Sequence, residues 1–253
     1  MSHPESVTVA EFAASTQAAR SGFYMCMAYL LVACVVAGFW PTYFGAVLGT
    51  GMTPPHPGWI IHAHATIFLG WMLVFAFQTT QVWRRRVDLH RRFGIYMAVY
   101  GLMVAAFGLY ASFQLEVHRF SFTGDLDLSA RRLLLSLGTI GLFSGFLGAA
   151  IHCRRKPELH KRLMVVATCS LASPGVARLY SRVLELPNDP ILVQLFLLSP
   201  LLLFAAYDVK VRGRPHSVII LGILLNALLF NHGPFARSEF WLSIGRTVLG
   251  PLV

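Results

Sequence analysis

Charged residues are scarce in this chain: only 13% of its 253 residues are Asp, Glu, Lys or Arg, against about 25% in an ordinary soluble domain. With 56% hydrophobic residues, a water-soluble core of this size could not hide the apolar surface, so lipid must cover part of it. Cysteine is scarce too. Cys26, Cys34, Cys153 and Cys169 lie in or at the ends of apolar runs. They form no CxxC pair and no regular spacing, which argues against a disulfide framework or a thiolate zinc site and for small packing residues. No basic region precedes Arg20, so the N-terminus does not read as a cleavable signal peptide; Val7 to Ala19 reads as a polar, weakly amphipathic lead-in on the cytoplasmic surface. The last apolar run contains Asn226 but no lysine, which excludes a retinal Schiff base. No His-x-x-x-His occurs, the pair that seven-helix zinc hydrolases require.

What the chain does have is a series of long apolar runs. A helix needs about 20 mostly apolar residues to cross a bilayer core. Seven stretches qualify, at approximately 22–47, 58–83, 88–113, 129–153, 158–182, 190–209 and 215–232. The expected fold is therefore all-α, a seven-helix transmembrane bundle forming one integral membrane domain over 1–253, with a lead-in over 1–21 and a tail over 233–253. Phe235, Phe240, Trp241, Ile244 and Val248 make one side of that tail apolar, so it is expected to lie along the outer interface.

The formal net charge of +10 would point to nucleic acid in a soluble protein. Here the basic residues sit in short loops between apolar runs, the pattern that sets membrane orientation, and nucleic acid is not an expected partner. Arg20, the stretches Arg84–Arg92 and Arg154–Arg162, and Lys210, Arg212 and Arg214 hold 14 of the 21 basic residues and fall on one side. The other seven are Arg119, Arg131, Arg132, Arg178, Arg182, Arg237 and Arg246. The richer side is the cytoplasmic one by the positive-inside rule, with the N-terminus inside, the C-terminus outside and the plasma (cell inner) membrane as the location. Trp40, Trp59, Trp83 and Trp241 fall at predicted helix ends, as an aromatic belt would.

Two junctions repeat one pattern. Arg84-Arg85-Arg86-Val87-Asp88-Leu89-His90-Arg91-Arg92-Phe93 and Arg154-Arg155-Lys156-Pro157-Glu158-Leu159-His160-Lys161-Arg162-Leu163 match in class throughout, 70 residues apart, and Tyr110 matches Tyr180 at the same offset. This reads as a duplicated helical hairpin, helices 2–3 and 4–5, forming a four-helix core over 58–182. Two helices separate the copies, so they share one orientation, as parallel repeats about an axis along the membrane normal do.

That symmetry sets His90 and His160 at equal depth on opposite sides of the axis, the arrangement of an axial pair for haem b. Glycines recur beside them. Gly138, Gly141, Gly145, Gly148 and His152 share one face of the fourth helix, and His90, Gly94, Gly101 and Gly108 one face of the third. Such faces admit a flat macrocycle or the backbone of another helix, and both readings stand here. Equally, the histidines could be interfacial polar residues, with Asp88 and Glu158 favouring the helix starts and the basic residues meeting lipid head groups. His152 is the substitute ligand, and Gly94 and Gly145 are the cofactor-lining candidates.

The stretch Leu89-His90-Arg91-Arg92-Phe93-Gly94 is similar to the His-Arg-x-x-Gly element that opens a core helix in the transmembrane ascorbate-dependent cytochrome b family. Residues 58–182 resemble that family's four-helix core. The resemblance implies a cytoplasmic-side haem held by His90 and His160 on alternate helices. The family's outer histidine pair does not carry over, because the positions matching His62 and His64 are Arg132 and Leu134. The chain as a whole also resembles a group of bacterial multi-pass proteins of unassigned function, marked by a His-x-His helix start and the Leu-His-Arg junction.

His62, His64, His118 and His232 fall on the outer side. His62 and His64 point about 200° apart on a regular helix and cannot both face one centre. Three of the four could hold a transition metal or an asymmetric haem, or all could be interfacial polar residues. Arg178 and Arg182 would suit an anionic group such as a haem propionate or a lipid phosphate. The expected buried polar residues are Gln78, Gln114 and Asn226, none charged, which speaks against a transporter. The expected function is a membrane-bound b-type haem protein in electron transfer, with a redox partner or quinone. Its rival is a non-catalytic subunit of a larger membrane complex.

Overall fold

A computed structural model describes residues 9–50 and 58–253, with side chains from residue 21 onward in the first helix. The stretch 51–57, with His56, and the start of the lead-in lie outside the described residues. Seven helices are long and apolar enough to cross a membrane, and among the described residues there is no strand. This is an all-α, multi-pass membrane protein.

The helices are α1 (Val9–Phe39), α2 (Trp59–Trp83), α3 (Val87–Thr123), α4 (Leu126–His152), α5 (Pro157–Arg178), α6 (Pro190–Arg212) and α7 (Ser217–Phe230). Two short helices follow, α8 (Gly233–Ala236) and α9 (Glu239–Leu249). The backbone is helical from Val9 onward, continuous with the first span. Both α1 and α5 continue into π-helical turns, Trp40–Phe44 and Leu179–Val183.

Local chemistry explains where helices stop. The α3–α4 turn needs a left-handed residue, supplied by Gly124 at φ +61°, and Asp125 then accepts from the Leu128 N–H at 2.8 Å. Gly213 at φ +75° ends α6, and Asp189 caps its start through the Ile191 and Leu192 N–H groups. His216 caps α7 by accepting from the Val218 N–H at 3.1 Å. Burial, with Arg162 and Arg212 nearby, pushes the His216 imidazole below its ordinary pKa, which keeps Nδ1 free to accept at neutral pH.

One helix is longer than its sequence indicated. The run beyond residue 113 carries Glu116 and Arg119 and reads as a span end, yet α3 continues to Thr123 and His118 lies within it. At 37 residues α3 is about 55 Å long, well beyond a core of about 30 Å. Glu116 and Arg119 pair along the helix, and Glu116 is fully buried, so its charge continues the helix instead of ending it.

Short connections make consecutive helices antiparallel neighbours. The core sits where α1, α2, α4 and α5 meet. Trp71 and Phe143 pack edge to face there at 5.1 Å, and the Trp71 Nε1–H donates to Thr168 Oγ1. α5 is central, packed by α1, α4, α6 and α7, whereas α3 packs chiefly on α2 and α4. In the most apolar stretch of each, 72% of α5 is buried but 17% of α3. The two sequence-matched helices therefore occupy unlike environments.

The tail packs on the end of α4. Leu242, Gly245 and Leu249 are buried, with Gly245 against Ala130. The Trp241 Nε1–H donates to the Ala130 carbonyl at 2.8 Å, and Arg246 forks onto Asp127 with both contacts at 2.7 Å. Phe240, Ile244 and Val248, spaced four apart, stay exposed, the apolar face expected of an interfacial helix.

Candidate functional site

The repeated junctions start their helices at matching positions, Val87 and Pro157. Each histidine then donates its backbone N–H to the residue before its helix, His90 to the Arg86 carbonyl and His160 to the Lys156 carbonyl. One turn into α3 and α5, the two rings meet. Their centroids lie 6.3 Å apart with the planes crossed at 72°. The helices that carry them share few contacts elsewhere and stand diagonally across the α2–α5 bundle.

The surroundings differ at the two rings. His160 Nδ1 lies 2.9 Å from the Ala150 carbonyl, which makes it the N–H donor and leaves Nε2 with its lone pair. His90 Nδ1 is buried without a hydrogen-bond partner, as are both amide atoms of Gln78 and the Oε1 of Gln81 at the same end of the bundle. Buried polar atoms left unpaired each cost about 1–3 kcal/mol, so several at one end of a bundle call for a further hydrogen-bonding partner, water included.

Do these residues fit a haem? An iron with two histidine nitrogens at about 2 Å puts the ring centroids about 6 Å apart, and crossed planes are compatible with one shared axis. The observed pair meets that spacing. A backbone carbonyl that holds the other ring nitrogen, and so fixes one tautomer, is also the usual support of a ligating histidine. The donor set fits.

The glycine stripes divide into two kinds. A methyl on Gly101 would strike Leu147 and Trp71, on Gly108 it would strike Ile140 and Phe68, and on Gly138 it would strike Leu229. Those three are helix-packing glycines. A methyl on Gly94, Gly141, Gly145 or Gly148 would meet nothing within 4 Å. Gly94 is half-buried, while Gly141, Gly145, Gly148 and His152 are exposed. His152 thus stands on the outside of α4.

The four outer histidines do not converge. His62 is exposed, with Nδ1 2.9 Å from the Tyr43 hydroxyl. His64 turns inward and stacks on Phe68 at 4.1 Å, with a buried, unpaired Nδ1. His118 packs edge-on against Phe122, and His232 Nδ1 lies 2.9 Å from the Leu229 carbonyl. Among the described residues no three His, Cys, Asp or Glu side chains come together as a metal site would need. The divergence of His62 and His64 is the 200° offset expected of adjacent-but-one helix positions.

Sequence reasoning missed a buried ion pair beside His160. Arg162 donates through Nε and Nη2 to the two oxygens of Asp208, at 2.9 and 2.5 Å, and both side chains are 2% exposed. Arg162 also reaches the Glu158 carboxylate at 2.6 Å, and the His216 N–H donates to Asp208. Arg162 reads from sequence as one more topogenic cation, like its partner Arg92, which is exposed. Asp208 carried a signal: an acid in the last turns of α6 opposes the helix dipole and wants a cation. The expectation that buried polar residues are uncharged is corrected by Glu116, Arg162 and Asp208, all buried. Of the uncharged candidates, Gln78 and Asn226 are buried and Gln114 is half-buried; Asn226 donates to Ser170 Oγ and to the Gly222 carbonyl.

No protein-family model, curated protein or solved structure compared with this chain matches it.

Proposed function

We propose that this protein is a membrane-bound b-type haem protein working in electron transfer, with His90 and His160 as the axial ligands. The observation that carries the reading is the meeting of these two rings at 6.3 Å from duplicated positions on diagonal helices. The Ala150 contact to His160 Nδ1 and the open space at Gly94 support it. A bound haem would supply one-electron chemistry; the chain would supply the axial nitrogens, the ring orientation and a largely apolar surround. A redox protein or quinone would be the partner.

An absorption spectrum tests this. The protein purified from haem-replete cells is expected to show a Soret band and, on dithionite reduction, a low-spin b-type spectrum. H90A and H160A should each lose that spectrum or the haem itself, whereas R91Q and K161Q should leave it intact. A wild-type protein without a Soret band from such cells sinks the reading.

A second reading rests on Gly141, Gly145 and Gly148, an exposed strip on α4 where nothing lies within 4 Å. Small residues at this spacing accept a neighbouring helix, which fits an accessory subunit of a larger membrane complex. G145L would then release a co-purifying subunit and leave any haem spectrum unchanged.

The positive-inside bias supports an N-terminus in the cytoplasm, a C-terminus outside and a plasma-membrane location. Arg162, being buried and paired, leaves 13 of the 14 cytoplasmic-side cations as topogenic. Single cysteines at Arg85 and Asp125 are expected to label from opposite faces, Arg85 only from the cytoplasm. Labelling of both from one face would overturn the orientation and the α3 span together.

A further inference from the structure

Two arginines and a histidine gather inside the bundle at the end away from His160. α1 and α5 cross there in backbone contact. A methyl built on Gly38 would lie 2.0 Å from the Gly175 carbonyl oxygen, and one on Gly175 2.9 Å from the Val35 Cα. Just past this crossing each helix widens into its π-helical turn, Trp40–Phe44 and Leu179–Val183. Such turns recur at functional sites. The residues immediately before them are Phe39 and Arg178, and these two meet. The Arg178 guanidinium lies over the Phe39 ring at 4.4 Å and donates to the Pro174 carbonyl.

His64 of α2 and Arg119 of α3 stand within electrostatic reach of Arg178 and of each other. His64 stacks on Phe68 with centroids 4.1 Å apart, and its Nδ1 is buried without a hydrogen-bond partner. Arg119 has its counter-charge in the fully buried Glu116. Arg178 has none. Among the described residues no carboxylate pairs with it, and the charged groups acting on it, Arg119 and Arg182, are both cations. A helix C-terminus favours a cation in its last turn, but a half-buried guanidinium beside another inward cation calls for an anion. Arg132 and Arg182 are exposed. The inward charges are therefore Arg119, Arg178 and Glu116, which leave one positive charge over. A monoanion balances that charge and a dianion exceeds it.

We propose that Arg178, Arg119 and His64 bind a small monocarboxylate from the aqueous side of this end of the bundle. The two guanidinium forks match carboxylate oxygens, and His64 Nδ1–H donates to the same group. Phe39 and Phe68 wall the apolar back of the ligand. The crossing at Gly38 and Gly175 bars entry from lipid between α1 and α5. Between His90 and Glu116 α3 rises about 39 Å, so the site is independent of the haem reading.

Isothermal titration calorimetry of the detergent-purified protein with sodium acetate, in chloride buffer of constant ionic strength, tests this. Wild type is expected to bind acetate saturably and in preference to sulfate. R178Q should weaken acetate binding roughly tenfold. H64F, which keeps a ring on Phe68 and removes the donor, should weaken it roughly fivefold and remains informative if R178Q folds poorly. R237Q, at an exposed arginine elsewhere, should have no effect. E116Q raises the excess to two positive charges and should turn the preference toward sulfate, a change that a merely structural role of Glu116 would not produce. Laurate, whose chain would have to come from the lipid, should bind no more tightly than acetate. Acetate heats that do not saturate, or that are equal in wild type, R178Q and H64F, overturn the proposal. So does a wild-type preference for sulfate or for laurate.

Discussion

Replacing Asp208 with Ala is expected to lower the thermal midpoint of the purified protein by on the order of 10 °C. The reason is the state in which it leaves Arg162. That guanidinium is 2% exposed and receives two of its contacts from Asp208. Removing one partner of a buried pair typically costs about 3–5 kcal/mol, because the other charge stays buried without compensation. Glu158 remains in contact with Arg162 at 2.6 Å, so the loss should fall toward the lower end of that range. Glu158 itself is 67% exposed, and E158Q is expected to cost no more than about 1 kcal/mol. The double variant R162M/D208L, which replaces the pair by apolar groups, should recover most of the stability lost in D208A. Differential scanning fluorimetry across the four proteins checks this. A D208A midpoint equal to wild type would mean that the pair is solvated and does not tie α5 to α6. Because Arg162 follows His160 by two residues, D208A should also disturb any haem spectrum, whereas the double variant should restore it.

The second large effect is expected at Gly38. In G38A the new methyl would sit 2.0 Å from the Gly175 carbonyl oxygen and 2.9 Å from the Leu179 backbone nitrogen. Backbone atoms cannot rotate out of the way, so α1 must lift from α5. Overpacking of a tight contact costs about 1–3 kcal/mol and more where the backbone has to move. G38V should exceed G38A and should reduce the yield of folded protein. The comparison that isolates the mechanism is G145A. A methyl there meets nothing within 4 Å, and replacing a mid-helix glycine by alanine favours the helix by up to about 1 kcal/mol. G145A is therefore expected to be neutral or slightly stabilising, and G38A strongly destabilising. Equal midpoints for the two variants would remove the close crossing of α1 and α5.

Both effects fall on residues whose importance was hidden in the sequence, and the reason is the same in each case. Gly38 shares its long apolar run with Gly22 and Gly45, without the alternating three-and-four spacing that marked the stripe from Gly138 to Gly148. Arg162 occupies the same place in its junction as Arg92, and the shared pattern gives them equal weight. They differ only because α5 is wrapped by α1, α6 and α7 while α3 lies at the edge of the bundle. The same asymmetry separates Tyr180, buried with its hydroxyl donating to the Pro187 carbonyl, from Tyr110, which is exposed. The repeat was legible; what surrounds each copy was not.

Much else was readable from local chemistry. A span must be long enough to cross the hydrocarbon and must satisfy its own backbone, so lipid imposes length and helicity on the sequence directly. That is why the seven spans, the short loops and the placement of Trp40, Trp59 and Trp83 at helix ends could be read without coordinates. The nearness of the His90 and His160 rings agrees with the equal depth that the duplicated motif implied. Contacts between distant segments are of another kind. The reach of Arg162 to Asp208, the crossing at Gly38 and Gly175, the facing π turns, and the split of the glycines into packed and open sets depend on which helices become neighbours. Neighbours are chosen by side-chain packing summed over whole helix faces, and no single residue or spacing along the chain records that sum.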